Sequence, residues 1–268
     1  MEGLLERGCS ISLFSPWKQA REVARTLGIS VTLFDEENPP RGEDYLLSIG
    51  GDGTLLDTLP LVHDSGIPVL GINLGRLGFL SAVARDEAAT ALQCMFEGTV
   101  SLEPRSLLEI DTEGYTGYRY ALNEISILKE PPASMLAVKT WIDGDFLNNY
   151  WADGLIVATP TGSTAYSLSC GGPILTPGSS GFVITPVANH NLTVRPVVVS
   201  DVCQITIQVD EKAGRFLLGL DSRIGTVPAG HELRIRRAPF ALNLVRLPSR
   251  NFYTTLRAKL TWGHDIRN

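Results

Sequence analysis

The stretch YLLSIGGDGTLLDTLPLV, residues 45–62, decides the fold of the first half of the chain. Its apolar run YLLSI leads directly into a turn with three glycines and one aspartate, and the leucines that follow recur at helical spacing. A strand, a tight turn and a helix form the repeating unit of α/β proteins, whose polar chemistry collects in loops at the carboxyl ends of the strands. We predict such a unit here, with Thr54 as the N-cap of the helix.

The segments around this stretch repeat the same alternation. Short apolar runs at 11–14 (ISLF), 31–34 (VTLF) and 68–73 (PVLGIN) are separated by helical patterns such as KQAREVARTLG at 18–28. From about Thr99 the chain changes to closely spaced β-type runs, and Asp143-Gly144 between two of them is typical of a hairpin. The predicted fold is an α/β N-terminal domain with a mostly parallel sheet, plus a β-rich, sandwich-like C-terminal domain.

Three segments follow from this pattern. We expect the α/β domain at 1–98 and the β-rich domain at 99–240. In the last segment, 241–268, the pattern NFYTTLRAKLTW has helical spacing and is expected to pack back on the body of the protein. A ligand site built from both domains would lie in the cleft between them.

Composition and charge exclude several classes of protein. The 268 residues are 44% hydrophobic and 19% charged, which is typical of a compact globular chain. A net charge of −6 gives no overall attraction to nucleic acid or to an anionic membrane. No apolar stretch is long enough to span a bilayer, and the four scattered cysteines form no CxxC pair. We therefore expect a cytoplasmic protein with reduced cysteines and neither a nucleic-acid nor a membrane partner.

The glycine-rich turn is the first candidate binding element. Glycines can adopt positive φ and let a phosphate approach the backbone closely, and free N–H groups at a helix start favour an anion. The candidate residues are Gly50, Gly51, Asp52, Gly53 and Thr54. Asp52 would then be a carboxylate at a phosphate site, able to accept a proton or to help place Mg²⁺. The alternative is ordinary Asp-Gly turn chemistry.

Two further motifs lie in the second half. Asn123 and Glu124 interrupt the apolar run YALNEISIL, where burial is costly unless a ligand or another partner satisfies them; an edge pair facing water is the alternative. The run DGLIVATPTGSTAYSLS at 153–169 leads from a strand into a hydroxyl-rich turn that can cap a short helix near Ala165 or donate to a nucleotide. The candidate residues there are Asp153, Thr161, Thr164, Ala165, Tyr166, Ser167, Leu168 and Ser169.

Taken together, these motifs resemble those of the NAD kinase family. Its members typically carry GGDGT, an Asn-Glu pair, and DGLI-x-x-TPTGSTAYSLS followed by GGP, whereas lipid kinases with a related turn lack the last two. The resemblance extends to the segments 71–80 (GINLGRLGFL), 185–196 (TPVANHNLTVRP) and 220–223 (LDSR). It covers nearly the whole chain from about Tyr45.

The resemblance implies a reaction and a set of roles. The family transfers the γ-phosphoryl group of ATP, with Mg²⁺, to the 2′-hydroxyl of the adenosine ribose of NAD, giving NADP and ADP. Asp52 would be the proton acceptor beside that hydroxyl, with Asn123 on the adenine, Glu124 on the ribose and the 153–169 residues on the rest of NAD. Asp221 and Arg223 would add contacts in the same cleft. Family members are usually homo-oligomers, dimers or tetramers, in which a neighbouring subunit completes the NAD site.

Two departures and two rival functions accompany this interpretation. Relatives usually begin with a strand and a helix, whereas this sequence begins within the helical pattern LLERG, so we expect the first strand to be missing. Trp151 stands where many relatives carry a basic residue. The rivals are a lipid kinase of the diacylglycerol type, disfavoured by the TPTGSTAYSLS loop, and a non-catalytic NAD-binding sensor, which would not need Asp52.

Overall fold

The computed structural model describes residues 2–26, 28–75, 78–81, 83–131, 135–248 and 251–262. The helices are α1 Glu2–Leu5, α2 Ala20–Thr26, α3 Asp52–Leu56, α4 Leu59–Val62, α5 Ala88–Phe96, α6 Tyr166–Ser169 and α7 Phe252–Leu260. The strands before residue 100 are β1 Ser12–Phe14, β2 Thr32–Phe34, β3 Leu46–Gly50, β4 Val69–Asn73 and β5 Val83–Ala84.

Twelve further strands occupy the rest of the described chain. They are β6 Ser101–Thr112, β7 Tyr120–Ala121, β8 Glu124–Lys129, β9 Leu136–Ile142, β10 Asp145–Ala152, β11 Gly154–Ala158, β12 Gly181–Val187, β13 Val197–Ser200, β14 Ile205–Val209, β15 Arg215–Leu220, β16 Arg223–Pro228 and β17 Glu232–Arg246. No helix in the described ranges is long and apolar enough to cross a membrane.

The N-terminal strands pair in parallel, as the sequence predicts. β3 and β5 flank β4 in parallel register, while β1 and β2 form a separate parallel pair. α3 and α4 pack on one face of β4 through Leu55 and Leu59, and α5 packs on the other face through Ala91. These layers place the turn after β3 at the carboxyl end of a parallel strand.

The second half is a β-sandwich, which confirms the predicted fold class. One layer is an antiparallel sheet in the order β13-β12-β11-β8-β15-β16. The other is a mixed nine-stranded sheet in which β10-β9-β14-β17 continue into β4-β3. Ile127 and Phe182 from the first layer and Val138 and Ile207 from the second are fully buried in the core between them.

The long strand β17 joins the two halves of the protein. Leu244 pairs with Val69 of β4 in parallel, while the rest of β17 runs antiparallel to β6 and β14. The expected boundary at residue 240 therefore falls inside a strand, because residues 241–246 continue the β17 ladder. The boundary near residue 98 stays a prediction.

Two local predictions are confirmed. Asp143 and Gly144 connect β9 to β10 as a two-residue turn, and both have positive φ (50° and 91°), as a tight hairpin of this type requires. The C-terminal pattern forms α7, capped by Asn251, whose side chain accepts from the N–H of Thr254 at 2.9 Å. Leu256 of α7 is buried. That the whole segment 241–268 packs back on the body stays a prediction, and residues 263–268 lie outside those described.

The predicted N-cap of the first helix after the glycine turn is wrong. α3 begins at Asp52 with Gly51 as its N-cap, and Thr54 lies inside the helix. The reason is that the Gly51 carbonyl, held in an extended conformation, already accepts the N–H of Leu55 at 3.2 Å. The helix ends at Leu56 and restarts as α4, with a proline in its first turn.

Candidate active site

Asp52 lies at the first position of α3, and its carboxylate is bound to the backbone of a neighbouring loop. Its Oδ2 accepts the N–H of Phe79 at 2.8 Å, and its Oδ1 accepts the N–H groups of Leu80 at 3.2 Å and Ser81 at 2.9 Å. The hydroxyl of Ser81 donates to the Gly51 carbonyl at 3.2 Å. The loop after β4 and the glycine turn after β3 are therefore held against each other through Asp52.

The glycines of the turn differ from the sequence expectation. None of Gly50, Gly51 and Gly53 has positive φ among the residues described, so that part of the prediction is wrong. Gly50 is needed for close packing, because an added Cβ would lie 2.3 Å from Oγ1 of Thr54. A Cβ on Gly51 or Gly53 would meet no atom within 4 Å. Both positions are exposed and leave open space in front of the N-terminus of α3.

Leu122 and Asn123 form a bend between β7 and Glu124, the first residue of β8, and the backbone groups of residues 122–124 are all bonded to two residues. Asp221 accepts the N–H groups of Leu122 at 2.8 Å, Asn123 at 2.7 Å and Glu124 at 3.2 Å. Its own N–H donates to the Glu124 carbonyl at 3.0 Å. On the other side, the Thr159 hydroxyl donates to the Leu122 carbonyl and the Thr159 N–H donates to the Asn123 carbonyl.

The side chains of the Asn-Glu pair are the groups left available. The Asn123 side chain makes no hydrogen bond within the described residues. Oε2 of Glu124 is buried without a partner. Burial, and then the charge of Asp221, raise the pKa of Glu124 to about 8, while a hydrogen bond from the Tyr166 backbone lowers it. An unsatisfied amide and an orphaned carboxyl oxygen, side by side, are suited to a polar ligand.

The hydroxyl-rich loop after β11 rests directly on this bend. The Gly162 N–H donates to Oγ1 of Thr159 at 3.1 Å, and a Cβ on Gly162 would come within 2.0 Å of the Asn123 carbonyl oxygen. Thr164 donates to the carbonyl of Thr161 at 3.0 Å. The predicted capping of the short helix by these hydroxyls is wrong, because α6 has Ala165 as its N-cap with no side-chain bond. The hydroxyls instead close the 3₁₀ turn Gly162–Thr164.

Residues of α6 differ in what they expose. Tyr166 and Ser169 are exposed, and Ala165 and Leu168 are half-buried. Ser167 is fully buried, with its hydroxyl 2.8 Å from that of Thr185. Only the exposed members of this set present a surface to the cleft beside Glu124.

Asp153 lies at the opposite end of β11 from the hydroxyl-rich loop. It forms an ion pair with Lys129 at 2.8 Å. Asp153, which lies two residues after Trp151, therefore already has a cation beside it. The pKa of Tyr166 is raised by burial and by the negative charges of Cys170, Asp153 and Glu124. The Tyr166 ring thus lies within electrostatic range of both ends of the candidate cleft.

Arg223 supports Asp221 from the next strand. Its guanidinium is 3.5 Å from the Asp221 carboxylate, donates to the Tyr120 carbonyl at 3.1 Å and lies over the Tyr118 ring at 5.1 Å. The Asp221 side chain is completely buried, and burial raises its pKa. Both residues predicted by resemblance are therefore near the Asn-Glu bend, and both are bonded to protein groups.

Sequence reasoning missed a buried arginine under the loop. Arg105 on β6 is 4% exposed and donates to Oγ1 of Thr161 at 3.1 Å. It pairs with Glu103 at 3.1 Å, which also binds Arg246. Burial, and then the charge of Arg246, lower the pKa of Arg105 to about 10, with Glu103 opposing the shift. The strand at 101–112 carries four charged residues, so the local sequence does not mark Arg105 as the buried one.

The N-terminal turn and the C-terminal bend meet through one hydrophobic cluster. Leu55 and Leu59, which follow the glycine turn, pack in the same cluster as Leu122, which precedes the Asn-Glu pair. Ser222, next to Asp221, donates to Asp57 at the end of α3 at 3.4 Å. The structure therefore brings the GGDGT turn, the Asn-Glu bend and the Asp221 turn close together.

In the described ranges, no three His, Cys, Asp or Glu side chains cluster as a ligand set. Asp52, the carboxylate nearest the open turn, already uses both oxygens for backbone N–H groups. The described residues do not form a dedicated metal site, although Mg²⁺ commonly keeps phosphate and water ligands and needs few from the protein.

An α/β domain joined to a β-sandwich, with a glycine-rich turn at the carboxyl end of a parallel strand and unsatisfied polar side chains nearby, is typical of a nucleotide-binding protein of the kinase type. Two family models match: the ATP-NAD kinase N-terminal domain over residues 17–100 and the ATP-NAD kinase C-terminal domain over residues 122–247. The chain belongs to the NAD kinase family.

Curated relatives agree with this assignment. The NAD kinase of Cytophaga hutchinsonii is 44% identical over 239 residues, covering 88% of this chain and 82% of the relative. The NAD kinases of Flavobacterium psychrophilum and Bacteroides fragilis are each 46% identical, covering 84% and 88% of this chain and 78% and 81% of the relatives.

Solved structures share the fold. A yeast NADH kinase complexed with NADH aligns with a TM-score of 0.81 at 26% identity, over 88% of this chain and 72% of that one. An NAD kinase from Archaeoglobus fulgidus in complex with ATP aligns with a TM-score of 0.73 at 27% identity, over 94% of this chain and 98% of that one.

Proposed function

We propose that the protein transfers the γ-phosphoryl group of ATP to the 2′-hydroxyl of the adenosine ribose of NAD, giving NADP and ADP. Family membership carries the reaction class, and one observation carries the assignment of the acceptor site: Asp52 begins α3 at the open turn, with one acceptor position of its carboxylate unused. The relatives named above are NAD kinases, and the solved neighbours hold NADH and ATP.

The unused position follows from counting lone pairs. A carboxylate offers about four acceptor positions, two on each oxygen. Oδ1 of Asp52 accepts two backbone N–H groups and Oδ2 accepts one. Oδ2 therefore keeps one position for the ribose hydroxyl, while the three backbone bonds fix its direction.

The step then balances as follows. The ribose O2′–H bond breaks and its proton passes to Oδ2 of Asp52, while O2′ bonds to the γ-phosphorus. The bond from the γ-phosphorus to its bridging oxygen breaks, and ADP leaves with that electron pair. A ribose hydroxyl is too weak an acid to ionise beforehand, so Asp52 accepts the proton late in the transfer.

The remaining roles divide between contact and support. Gly51 and Gly53 leave space for the phosphates of ATP in front of α3, with Gly50 and Thr54 shaping the turn. Asn123 and Glu124 offer their unsatisfied polar groups to the adenine and the ribose. Asp153, Thr161, Thr164, Ala165, Tyr166, Leu168 and Ser169 line or hold the rest of the NAD cleft, and the buried Ser167 supports α6.

Mg²⁺ is expected to accompany ATP. Its phosphate oxygens and water would supply most of the ligands, since the described residues offer no ready cluster. When bound, the ion neutralises charge on the transferring phosphates. The proton transfer assigned to Asp52 does not depend on its position.

A homo-oligomer, either a dimer or a tetramer, is part of the proposal. Trp151 is 50% exposed and Leu192 is 85% exposed, and His190 between them in sequence binds the Trp151 carbonyl at 2.8 Å. Large apolar side chains exposed beside a ligand cleft favour contact with a neighbouring subunit. A cytoplasmic location also stays a prediction, supported by four free cysteines.

The test is NADP formation by the purified protein from NAD, ATP and Mg²⁺, followed with a cycling assay specific for NADP. Steady, Mg²⁺-dependent production is expected. Diacylglycerol in place of NAD tests the lipid-kinase alternative and should give no phosphorylated product. A folded protein that binds NAD but forms no NADP would contradict the proposal and favour a sensor.

A further inference from the structure

We infer that Asp221 is a positioning residue for the dinucleotide site, and that it holds the 122–124 bend without touching the ligand. This inference rests on the proposed function and deepens it, because resemblance alone assigns Asp221 a contact in the cleft.

The Asp221 side chain has no surface left for a ligand. Its relative exposure is 0%, and its two oxygens accept three consecutive backbone N–H groups and face Arg223 at 3.5 Å. Buried carboxylates are retained where they satisfy several donors at once, since an unpaired buried charge is very costly. The Asp221 carboxylate is therefore fully occupied by groups of the protein.

The backbone conformation of Asp221 lets its side chain and its main chain bond to the same bend. Asp221 follows β15 in the two-residue connection to β16, and its φ is +54°, a region that L-residues adopt rarely except in turns. In that conformation its N–H donates to the Glu124 carbonyl at 3.0 Å, while its carboxylate accepts the three N–H groups of residues 122–124. The side chain and the main chain of Asp221 are thus both hydrogen-bonded to the 122–124 bend.

These hydrogen bonds leave only the side chains of the bend free to bind a ligand. All six backbone polar groups of residues 122–124 are bonded, to Asp221 on one side and to Thr159 on the other. Because the bend cannot turn its peptide groups toward the cleft, Asn123 and Glu124 present their side chains there in one fixed arrangement. Leu122 anchors the bend from below in the hydrophobic cluster.

Asp221 also sets the charge around Glu124. The titratable groups that face Glu124 are Asp221, Tyr166 and Cys170, and the Tyr166 backbone N–H donates to it. Burial raises the pKa of Asp221, while three N–H groups and Arg223 oppose that shift, and negative charge on Asp221 opposes ionisation of Glu124. Replacing Asp221 by a neutral residue should therefore let Glu124 ionise at lower pH.

The first experiment compares Asp221→Asn with the wild type in steady-state kinetics. Loss of a charge-assisted anchor should raise KM for NAD by about tenfold or more, while kcat and KM for ATP stay within about twofold. The pH profile of KM for NAD should shift to lower pH in the variant. Asp143→Asn is the matched control, because Asp143 also has positive φ (50°) and accepts one backbone N–H, that of Gln204, in a hairpin outside the site.

A second measurement uses the wild type alone, so it tests the inference even if Asp221→Asn fails to fold. Amide hydrogen exchange by NMR should show Leu122, Asn123 and Glu124 protected without NAD and equally protected with it. Free exchange without NAD, protection lost on NAD binding, or an unchanged KM for NAD and pH profile in a folded variant would overturn the inference. A wild type that forms no NADP contradicts the proposed function instead, and leaves the exchange test standing.

Discussion

Gly78 lies so close to Asp52 that a Cβ added to it would come within 1.7 Å of Oδ1 of the carboxylate. The same carboxylate holds the three N–H groups that follow Gly78, those of residues 79–81. The loop after β4 is therefore shaped to receive Asp52, and the orientation of its carboxylate depends on that fit.

Replacing Asp52 by asparagine should abolish most turnover while preserving the fold. The asparagine oxygen can still accept the N–H groups of Leu80 and Ser81, but its amide nitrogen cannot take a proton from the ribose hydroxyl. General-base assistance is worth about 10²–10⁴-fold, and we expect kcat to fall by at least that order. Single-turnover NADP formation and a thermal melt measure the two effects.

The control for this variant is Asp35→Asn. Asp35 also accepts backbone N–H groups, those of Glu37 at 3.1 Å and Asn38 at 2.8 Å, in a turn after β2 outside the site. It should keep wild-type turnover. A folded Asp52→Asn protein with unchanged kcat would rule out the proton-accepting role.

Gly78→Ala should displace the Asp52 carboxylate without removing it. A contact of 1.7 Å cannot be relieved by rotating a flexible side chain, because both groups are held by backbone bonds. We expect kcat to fall by about 10²-fold, as misplacement by an ångström does in other active sites. Gly51→Ala is the control for the fold, because a Cβ on Gly51 meets no atom within 4 Å, and it is read by its melting temperature. Gly98→Ala is unsuited as a control, since Gly98 has positive φ. Wild-type kcat for Gly78→Ala would show that Oδ2 needs no such alignment.

Much of the fold follows from local sequence pattern, and the site follows from it only in part. β3 with its turn and the Asp143-Gly144 hairpin are encoded within a few residues, by apolar runs and turn-forming pairs. The role of Asp221 is not, because the N–H groups it binds lie 97 to 99 residues earlier in the chain. Arg105 likewise meets Thr161 across 56 residues. Motif reasoning identified Asp221 as important and assigned it a ligand contact, whereas its burial indicates support.

Gly53→Ala should separate stability from nucleotide binding. Gly53 lies within α3, and a Cβ there meets no protein atom within 4 Å, so alanine should stabilise the helix by about 0.5–1 kcal/mol. The same methyl group would occupy the space proposed for the ATP phosphates. We expect a higher melting temperature together with a KM for ATP raised about tenfold or more, measured at saturating NAD. An unchanged KM for ATP would place the phosphates elsewhere.

Arg105→Met should destabilise the protein more than loss of an exposed ion pair does. Arg105 is buried, and its removal deletes the bond to Thr161 and one partner of Glu103. Breaking a buried ion pair costs about 3–5 kcal/mol. Because Arg246 still pairs with Glu103, we expect the free energy of urea unfolding to fall by about 2–3 kcal/mol. Arg119→Met is the control, because its pair with Asp111 is half exposed and should contribute at most about 1 kcal/mol. Equal losses in the two variants would contradict a structural role for Arg105 beneath the loop.

Glu124→Gln should change how stability depends on pH. Burial and Asp221 raise the pKa of Glu124 from 4.5 to about 8 in the folded protein, so folding favours the protonated carboxyl. That stabilisation is complete below about pH 4.5 and is lost as pH rises through about 8, at up to about 1.4 kcal/mol per pH unit. Glutamine carries no such proton, so the variant should gain stability relative to the wild type as pH rises from about 4.5 to about 8, as measured by urea unfolding at each pH. Parallel pH profiles for the two proteins would mean that Glu124 is ionised in the folded state at neutral pH, and that its orphaned oxygen is satisfied by water rather than awaiting the ribose.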